Sequence, residues 1–281
     1  MSRVHRLAWS GARCAPRSIC AAIVFAGCSP EPASSVEIGQ TIAEVVDLGR
    51  AMTLEQTIVD LMNNVDGDAS PQDMAANARF AAALAFPFAV VTAEGSAGVA
   101  VDIGPPGGDC PPDEQCISGA VELAFSAPSP DARLAVITYD ALASADGTLN
   151  GTTEVSFTIV TQGDTDGTRR LVSELRLEDA DARQLEIQSD RIQRVYRGAL
   201  QIDGWHRWQT LMGRWEMELA GWERVRGEPV PGRGLARVST PFEHEIVLDF
   251  VGGTQVRANG GRRDRVFAVA ADGAITDLGD D

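Results

Sequence analysis

Two segments that contain histidine offer the residues best suited to acid–base chemistry. His206 lies close to Asp203 in the chain, so a carboxylate could orient its imidazole as a general base. His244 stands between Glu243 and Glu245, but on a strand the two acids point to one face and the imidazole to the other. Neither segment contains a nucleophile. We therefore interpret both histidines as surface residues beside solvated carboxylates and assign no catalytic residue.

The absence of lysine excludes several enzyme classes. All 24 basic residues are arginine, so Schiff-base enzymes, P-loop nucleotide hydrolases and kinases lack their essential side chain. The segment Gly95–Gly98 is not a nucleophile elbow, because the preceding residue is Glu94. The acidic segment Asp164–Gly167 lacks the later ligands of a calcium loop. Both are predicted to be turns, and we expect no metal and no cofactor.

Tryptophans form the most distinctive pattern in the chain. The possible ligand-binding residues are Trp205, Arg207, Trp208, Trp215 and Trp222. On a strand, Trp205 and Arg207 share one face while Trp208 points to the other. Exposed indoles could stack on sugar rings, with Arg207 donating hydrogen bonds. The alternative is an aromatic core in which at least half of the rings are buried, with arginine stacked on an indole.

Residues 1–27 have the pattern of a secretory signal peptide. Four arginines and no acidic residue precede the apolar run Ile19–Gly27, as signal peptides require. A membrane-spanning helix is the alternative, but it needs about 20 apolar residues, roughly twice the length of this run.

The end of this run, Phe25-Ala26-Gly27-Cys28, resembles the lipobox of bacterial lipoproteins. The resemblance implies cleavage before Cys28, with diacylglycerol on its sulfur and an acyl chain on its new amine. Several acyl chains hold a protein on a membrane almost permanently. Because Ser29 rather than aspartate follows, the resemblance implies an outer-membrane lipoprotein, on the periplasmic face or at the cell surface.

The cysteine count is consistent with that compartment. Cys14 and Cys20 would leave with the signal peptide and Cys28 would carry lipid, which leaves Cys110 and Cys116. These two lie in a turn-rich segment, and we expect them to form a disulfide in an oxidising compartment. The alternatives are free thiols or a metal site, although a zinc site would need two further ligands.

The mature chain is strongly acidic. Without the four arginines of residues 1–27, it has 20 basic and 40 acidic residues, a net charge of −20. This charge repels nucleic acid and anionic lipid headgroups. We therefore expect no nucleic-acid partner, and membrane contact through the N-terminal lipid.

Three helices are predicted before residue 88. The first places its apolar residues on one face and ends at Gly49. The second starts with a capping box formed by Thr53 and Gln56. The third starts at Ser70, the N-cap, with Pro71 at the first helical position.

From residue 88 the apolar pattern changes to a period of two, which is typical of strands with one buried face. Turn residues recur roughly every 10 to 16 residues, too often for crossover helices, so the strands should be antiparallel neighbours. The fold class is therefore α+β, with short N-terminal helices packed on a large antiparallel β-meander that forms a twisted sheet, a sandwich or an open barrel. The alternating residues are Val121, Leu123, Phe125, Val155, Phe157, Ile159, Leu171, Leu175, Leu177, Leu185 and Ile187.

The whole arrangement resembles a broad set of uncharacterised, β-rich envelope lipoproteins. The resemblance depends on Val101-Asp102-Ile103-Gly104, Cys110 and Ser118-Gly119, and it implies no activity. The predicted organisation is a signal peptide (1–27), a lipidated tether (28–36), a helical segment (37–87), an antiparallel β domain (88–276) and a frayed polar tail (277–281). The segment Gly227–Gly234 is predicted to be a long loop within the β domain.

These observations favour a lipid-anchored envelope protein with a non-enzymatic structural or interaction role. Its partner would be an envelope protein or a saccharide. The alternative is a β-sheet or open-barrel module that binds a saccharide or an acyl chain. A hydrolase with an unlocated carboxylate pair is the third possibility.

Overall fold

A single long helix, α1, spans Ser35–Val59 and continues into a 3₁₀-helix over Asp60–Asn64. Its N-cap is Ser34, whose hydroxyl accepts a hydrogen bond from the backbone N–H of Glu37 (3.1 Å), as N-cap residues do. The prediction of two helices divided at Gly49 is wrong. Thr53 does not cap a new helix, because its hydroxyl donates to the carbonyl oxygen of Gly49 one turn earlier (2.8 Å).

The second helix, α2, spans Pro71–Ala85. Ser70 is its N-cap and accepts a hydrogen bond from the backbone N–H of Asp73 (3.2 Å). The predicted start of this helix is therefore confirmed. Small side chains line its buried face, which packs on the first three strands.

A 14-stranded antiparallel sheet follows the helices. In a computed structural model of the chain, the described residues are 31–66, 69–104, 117–129, 132–145, 147–158, 168–179, 182–196, 199–224, 232–252, 254–261, 264–270 and 273–280. The strands are β1 (Val90–Glu94), β2 (Gly98–Ile103), β3 (Ser118–Ser129), β4 (Ala132–Ser144), β5 (Gly147–Thr158), β6 (Thr168–Asp179), β7 (Gln184–Tyr196), β8 (Ala199–Thr210), β9 (Gly213–Arg224), β10 (Arg233–Ser239), β11 (Glu245–Phe250), β12 (Gln255–Asn259), β13 (Asp264–Val269) and β14 (Ile275–Asp280).

Every strand pairs with its neighbours in the sequence, so the sheet is a meander with β1 and β14 at its edges. This confirms the predicted α+β class and the antiparallel meander. The predicted boundary between the β domain and a frayed tail at residue 277 is wrong, because β14 continues to Asp280. There Arg265 Nη2 lies 2.6 Å from Asp277 Oδ2, which joins β13 to β14.

Helix α1 lies against one face of the sheet, here called the inner face; the other is the outer face. Inner residues are buried and alternate with exposed outer residues along β6 and β7, which is the predicted period of two. Helix α1 buries residues on most of its circumference, and it belongs to one compact unit that starts at Pro32.

Candidate functional site

Two neighbouring rows of polar side chains cross the outer face of β5 to β9. The antiparallel register aligns them, since directly opposite residues point to the same face. Five strands at about 4.8 Å spacing give each row a length of roughly 19 Å. The first row is Asn150, Arg176, Glu186, Gln209 and Arg214, and the second is Thr152, Glu174, Gln188, Arg207 and Glu216.

An open groove of about 540 Å³ runs over these rows. Ion pairs hold some of its side chains in place: Glu216 Oε1 accepts from Arg207 Nε (2.6 Å) and from Arg214 Nη2 (2.8 Å). The amides of Gln188 and Gln209 add both donors and acceptors. The groove can therefore hydrogen-bond a polar ligand along its whole length.

A second, smaller groove of about 390 Å³ lies beside Trp205. The Arg207 guanidinium carbon is 4.8 Å from the centroid of the Trp205 ring, a cation–π distance. Gly204 precedes the indole with φ of +138°, and a Cβ there would lie 2.2 Å from the carbonyl oxygen of Asp190. Only glycine therefore allows β7 and β8 to approach closely beneath Trp205.

The other three tryptophans are in the core, so the predicted ligand-binding set divides. Trp208 and Trp215 are buried and stack with ring centroids 5.9 Å apart, while buried Trp222 packs against Phe250. The prediction that exposed indoles stack on sugar rings is therefore wrong for Trp208, Trp215 and Trp222. Of the five predicted ligand-binding residues, Trp205 and Arg207 are the two on the outer face.

The chain matches no protein-family model, no curated protein and no solved structure.

Helix α1 carries a buried row of carboxylates that the sequence analysis missed. Glu37, Glu44 and Glu55 are 8, 2 and 0% exposed. Their spacing of seven and eleven residues places them on one side of the helix. Glu44 and Glu55 meet the inner face of the sheet there, and Glu37 meets the β10–β11 turn. That spacing was the available signal, but acidic residues on a helix normally predict a solvated face.

Glu55, the most deeply buried of the three, is at the C-terminal end of this row. Its Oε1 accepts hydrogen bonds from the hydroxyls of Thr153 (2.7 Å) and Ser173 (2.6 Å). Arg191 Nη2 lies 2.7 Å from both carboxylate oxygens. These contacts join β5, β6 and β7 to one side chain of α1, in the interior where unpaired charge is most costly.

A second buried contact involves Gln56, the next residue of α1. The Gln193 amide donates to Gln56 Oε1 (2.7 Å), and its own oxygen accepts from Arg169 Nε (2.9 Å). Burial lowers the pKa of Arg169 to about 10, opposed by Asp60. The network therefore extends from α1 through β7 to β6.

Both histidines have surroundings that differ from the prediction. His206 is buried, and desolvation with the nearby charge of Arg191 holds its pKa well below the ordinary value. Its Nδ1 has no hydrogen-bond partner among the described residues. His244 Nδ1 contacts both Glu37 oxygens at 2.8 Å. The interpretation as a surface histidine is therefore wrong for His206, whereas His244 is partly exposed between exposed Glu243 and Glu245 and contacts buried Glu37.

One pair of carboxylates has the raised pKa expected of a catalytic acid. Burial raises the pKa of Glu44 and of Asp47, although Arg183 opposes both shifts. Arg183 Nη2 lies 3.0 Å from Glu44 and Nη1 lies 3.1 Å from Asp47, and Trp208 Nε1 donates to Glu44 (3.2 Å). These contacts occupy both acids, and neither borders the two grooves.

Other predictions concern parts of the chain outside the described residues. These include Cys28, Cys110, Cys116 and the segment Asp164–Gly167. Within the described ranges, no cluster of three or more histidine, cysteine or acidic side chains could hold a metal ion. The helices described are too short or too polar to cross a membrane.

Proposed function

We propose that the protein is a lipid-anchored envelope protein with a non-enzymatic interaction role, and that the 540 Å³ outer groove is its recognition surface. The main support for this proposal is the groove itself, where arginine, acidic and amide side chains of β5 to β9 form two aligned rows. Charged rows of this kind give specificity and orientation to a polar partner.

The lipobox resemblance of Phe25-Ala26-Gly27-Cys28 supports the anchor. Mass spectrometry of protein purified from native membranes tests it directly. We expect a mature chain that begins at Cys28 with diacylglycerol and an acyl chain attached. An intact Met1 without lipid would refute the anchor.

Charge reversal tests the recognition surface. Arg214 is 57% exposed and borders the groove, whereas Arg237 is 55% exposed on β10 outside it. Each pairs with one glutamate, so Arg214→Glu and Arg237→Glu are matched changes. Crosslinking in intact envelopes should recover a partner with wild type and Arg237→Glu but lose it with Arg214→Glu. Equal recovery by both variants would contradict the assignment of the groove.

Saccharide binding is the second candidate, favoured by one observation. Trp205 borders the smaller groove with Arg207 beside its ring, which offers a stacking surface next to hydrogen-bond donors. Titration with soluble neutral oligosaccharides should change tryptophan fluorescence in wild type and not in Trp205→Phe. The acyl-chain alternative has less support, because both grooves lie on the polar outer face.

The contacts of Glu44 and Asp47 argue against a hydrolase. A carboxylate pair needs access to substrate, but these two hold Arg183 between them. The proposed role is therefore recognition without chemistry.

A further inference from the structure

The N-terminal end of the described chain is fixed against one end of the sheet. The backbone N–H of Ala33 donates to the carbonyl oxygen of Gly260, which follows β12 (2.9 Å). A Cβ on Gly260 would lie 2.9 Å from the Ala33 Cβ and 3.1 Å from Ile38 Cδ1. The close approach therefore requires glycine and places the start of α1 beside the β12–β13 turn.

The β10–β11 turn meets the same end of α1, and the β8–β9 turn lies beside it. Glu37 accepts a hydrogen bond from the Thr240 hydroxyl (2.8 Å) and contacts His244, so the β10–β11 turn lies against the first turn of the helix. Pro241 in that turn reaches within 2.7 Å of the position of a Cβ on Gly213. The β8–β9 turn is therefore a direct neighbour of the β10–β11 turn.

Large apolar side chains are exposed at this place, alongside exposed Glu243. Leu211 is fully exposed in the β8–β9 turn, with Met212 at 43% beside it, and Phe242 in the β10–β11 turn is 48% exposed. Val36, next to Glu37, is 68% exposed. We call these four residues the turn patch. Three of these side chains lie in two adjoining turns, and the fourth lies in the first turn of α1. Large apolar side chains exposed together in this way are unusual unless they contact something.

The chain length between the lipid and the turn patch identifies that contact. Cys28 precedes Ala33 by five residues, which span at most about 17 Å when fully extended. If Cys28 is acylated, its lipid holds the end of α1, and hence the turn patch, near the bilayer surface. We propose that the turn patch docks onto the bilayer into which the lipid of Cys28 inserts. The inference depends on the proposed lipid anchor.

The charge of the chain favours an apolar mode of docking. A net charge of −20 on the mature chain repels anionic headgroups, so the net charge does not supply the attraction. Apolar side chains instead enter the interfacial region to a depth of roughly 5–10 Å. A short tether also keeps the patch at high effective concentration near the surface. Docking would restrict rotation of the domain about its tether.

Photocrosslinking to lipid tests the docking. The lipidated protein would be reconstituted in phosphatidylcholine vesicles that contain a photoactivatable acyl chain, and the crosslinked peptides would be mapped by mass spectrometry. We expect crosslinks in the β8–β9 and β10–β11 turns of wild type. Their yield should fall at least about tenfold in Leu211→Ser/Phe242→Ser, as expected when two large apolar side chains leave the interface.

A matched control uses the other end of the same hairpin. Leu235 on β10 is 48% exposed, like Phe242, and Val251 after β11 is 50% exposed. These two lie about 20 Å along the strands from the turn. The variant Leu235→Ser/Val251→Ser should keep the wild-type crosslinks. All the substituted residues are exposed, so both variants should fold.

The outcomes separate the two proposals. If the intact mass shows lipid on Cys28 but neither turn crosslinks, or both crosslink equally in Leu211→Ser/Phe242→Ser, docking is wrong while the anchor stands. If the mass shows Cys28 without lipid, the anchor is wrong and the docking inference fails with it.

Discussion

Two consecutive residues of β7 show how differently the two faces of the sheet use the same chemistry. Asp190 faces outward and accepts two hydrogen bonds from Arg170 (2.8 and 2.6 Å). Arg191 faces inward and donates to both oxygens of Glu55 at 2.7 Å. The distances are alike, but the outer arginine is 58% exposed and the inner one 2%.

This difference decides what each pair contributes. An exposed ion pair is screened by water and contributes about 0–1 kcal/mol. A buried pair contributes little in net terms, but the loss of one partner leaves an unpaired charge in the core. The inner contacts therefore fix α1 at one position on the sheet, while the outer residues are free to change or to bind.

The strongest test of this contrast is Glu55→Ala, which leaves Arg191 without its carboxylate. We expect a loss of about 3–5 kcal/mol in the free energy of unfolding, measured by urea denaturation. The double variant Glu55→Leu/Arg191→Met should recover most of that loss, because buried ion pairs can be replaced by apolar residues. A single variant that loses less than about 1 kcal/mol would show that the inner pair behaves like an outer one.

Tryptophans on opposite faces of β8 provide a second test. Trp208→Phe removes the indole N–H that Glu44 accepts and weakens the stack on Trp215. The expected loss is about 1–3 kcal/mol in unfolding free energy. Trp205→Phe on the outer face is the control and should stay within about 0.5 kcal/mol of wild type. Equal losses of unfolding free energy in the two variants would contradict the conclusion that Trp208 stabilises the core and Trp205 does not.

Buried His206 should make the inner face sensitive to acid. Its pKa is lowered in the folded state by burial and by Arg191, so below its ordinary value of 6.5 the unfolded chain binds more protons. Stability present above pH 6.5 is then lost as the pH falls, by up to about 1.4 kcal/mol per pH unit. The measurement is unfolding free energy against pH for wild type and His206→Leu. If the unfolding free energies of wild type and His206→Leu change with pH in the same way, His206 is not the cause of the acid sensitivity.

Glu44 should act in the opposite sense. Burial raises its folded-state pKa above 4.5, so its contribution is fully present below pH 4.5 and is lost as the pH rises through the folded-state value. The unfolding free energy of Glu44→Gln relative to wild type should therefore increase with pH in this window. A relative value that stays constant with pH would mean that Glu44 keeps an ordinary pKa.

The period-two pattern predicted the two faces of the sheet, because alternation is a local property of a strand. It placed Trp205 and Arg207 on one face and Trp208 on the other, as the structure confirms. Alternation failed at Trp222. Strict alternation from Trp215 along β9 would place Gly221 on the inner face and Trp222 on the outer face. The pairing of β8 with β9 shifts between Ile202 and Gly204, however, and Gly221 has φ of +60°. This bulge turns Trp222 inward, as bulges do.

The contacts between α1 and the sheet could not be predicted, because their partners are far apart in sequence. Glu55 and Arg191 are separated by 136 residues, and nothing local to either indicates the other. The helix break predicted at Gly49 failed for a related reason. Glycine costs a helix about 1 kcal/mol, but burial of α1 against the sheet outweighs that local preference. The turn patch likewise depends on two turns and the start of α1, which come together only in the folded chain.

The smallest expected effect is on the outer face, where Arg170→Ala removes both hydrogen bonds to Asp190. Arg170 holds the pKa of Asp190 below its ordinary value, so the pair's contribution is present above about pH 4 and is lost as acid protonates Asp190. Because the arginine is 58% exposed, we expect a loss of no more than about 1 kcal/mol at neutral pH. The loss should shrink in high salt, since exposed pairs are screened, whereas the loss in Glu55→Ala should not. Urea denaturation of both variants at low and high salt measures this, and equal salt dependence would mean that burial does not separate the two faces.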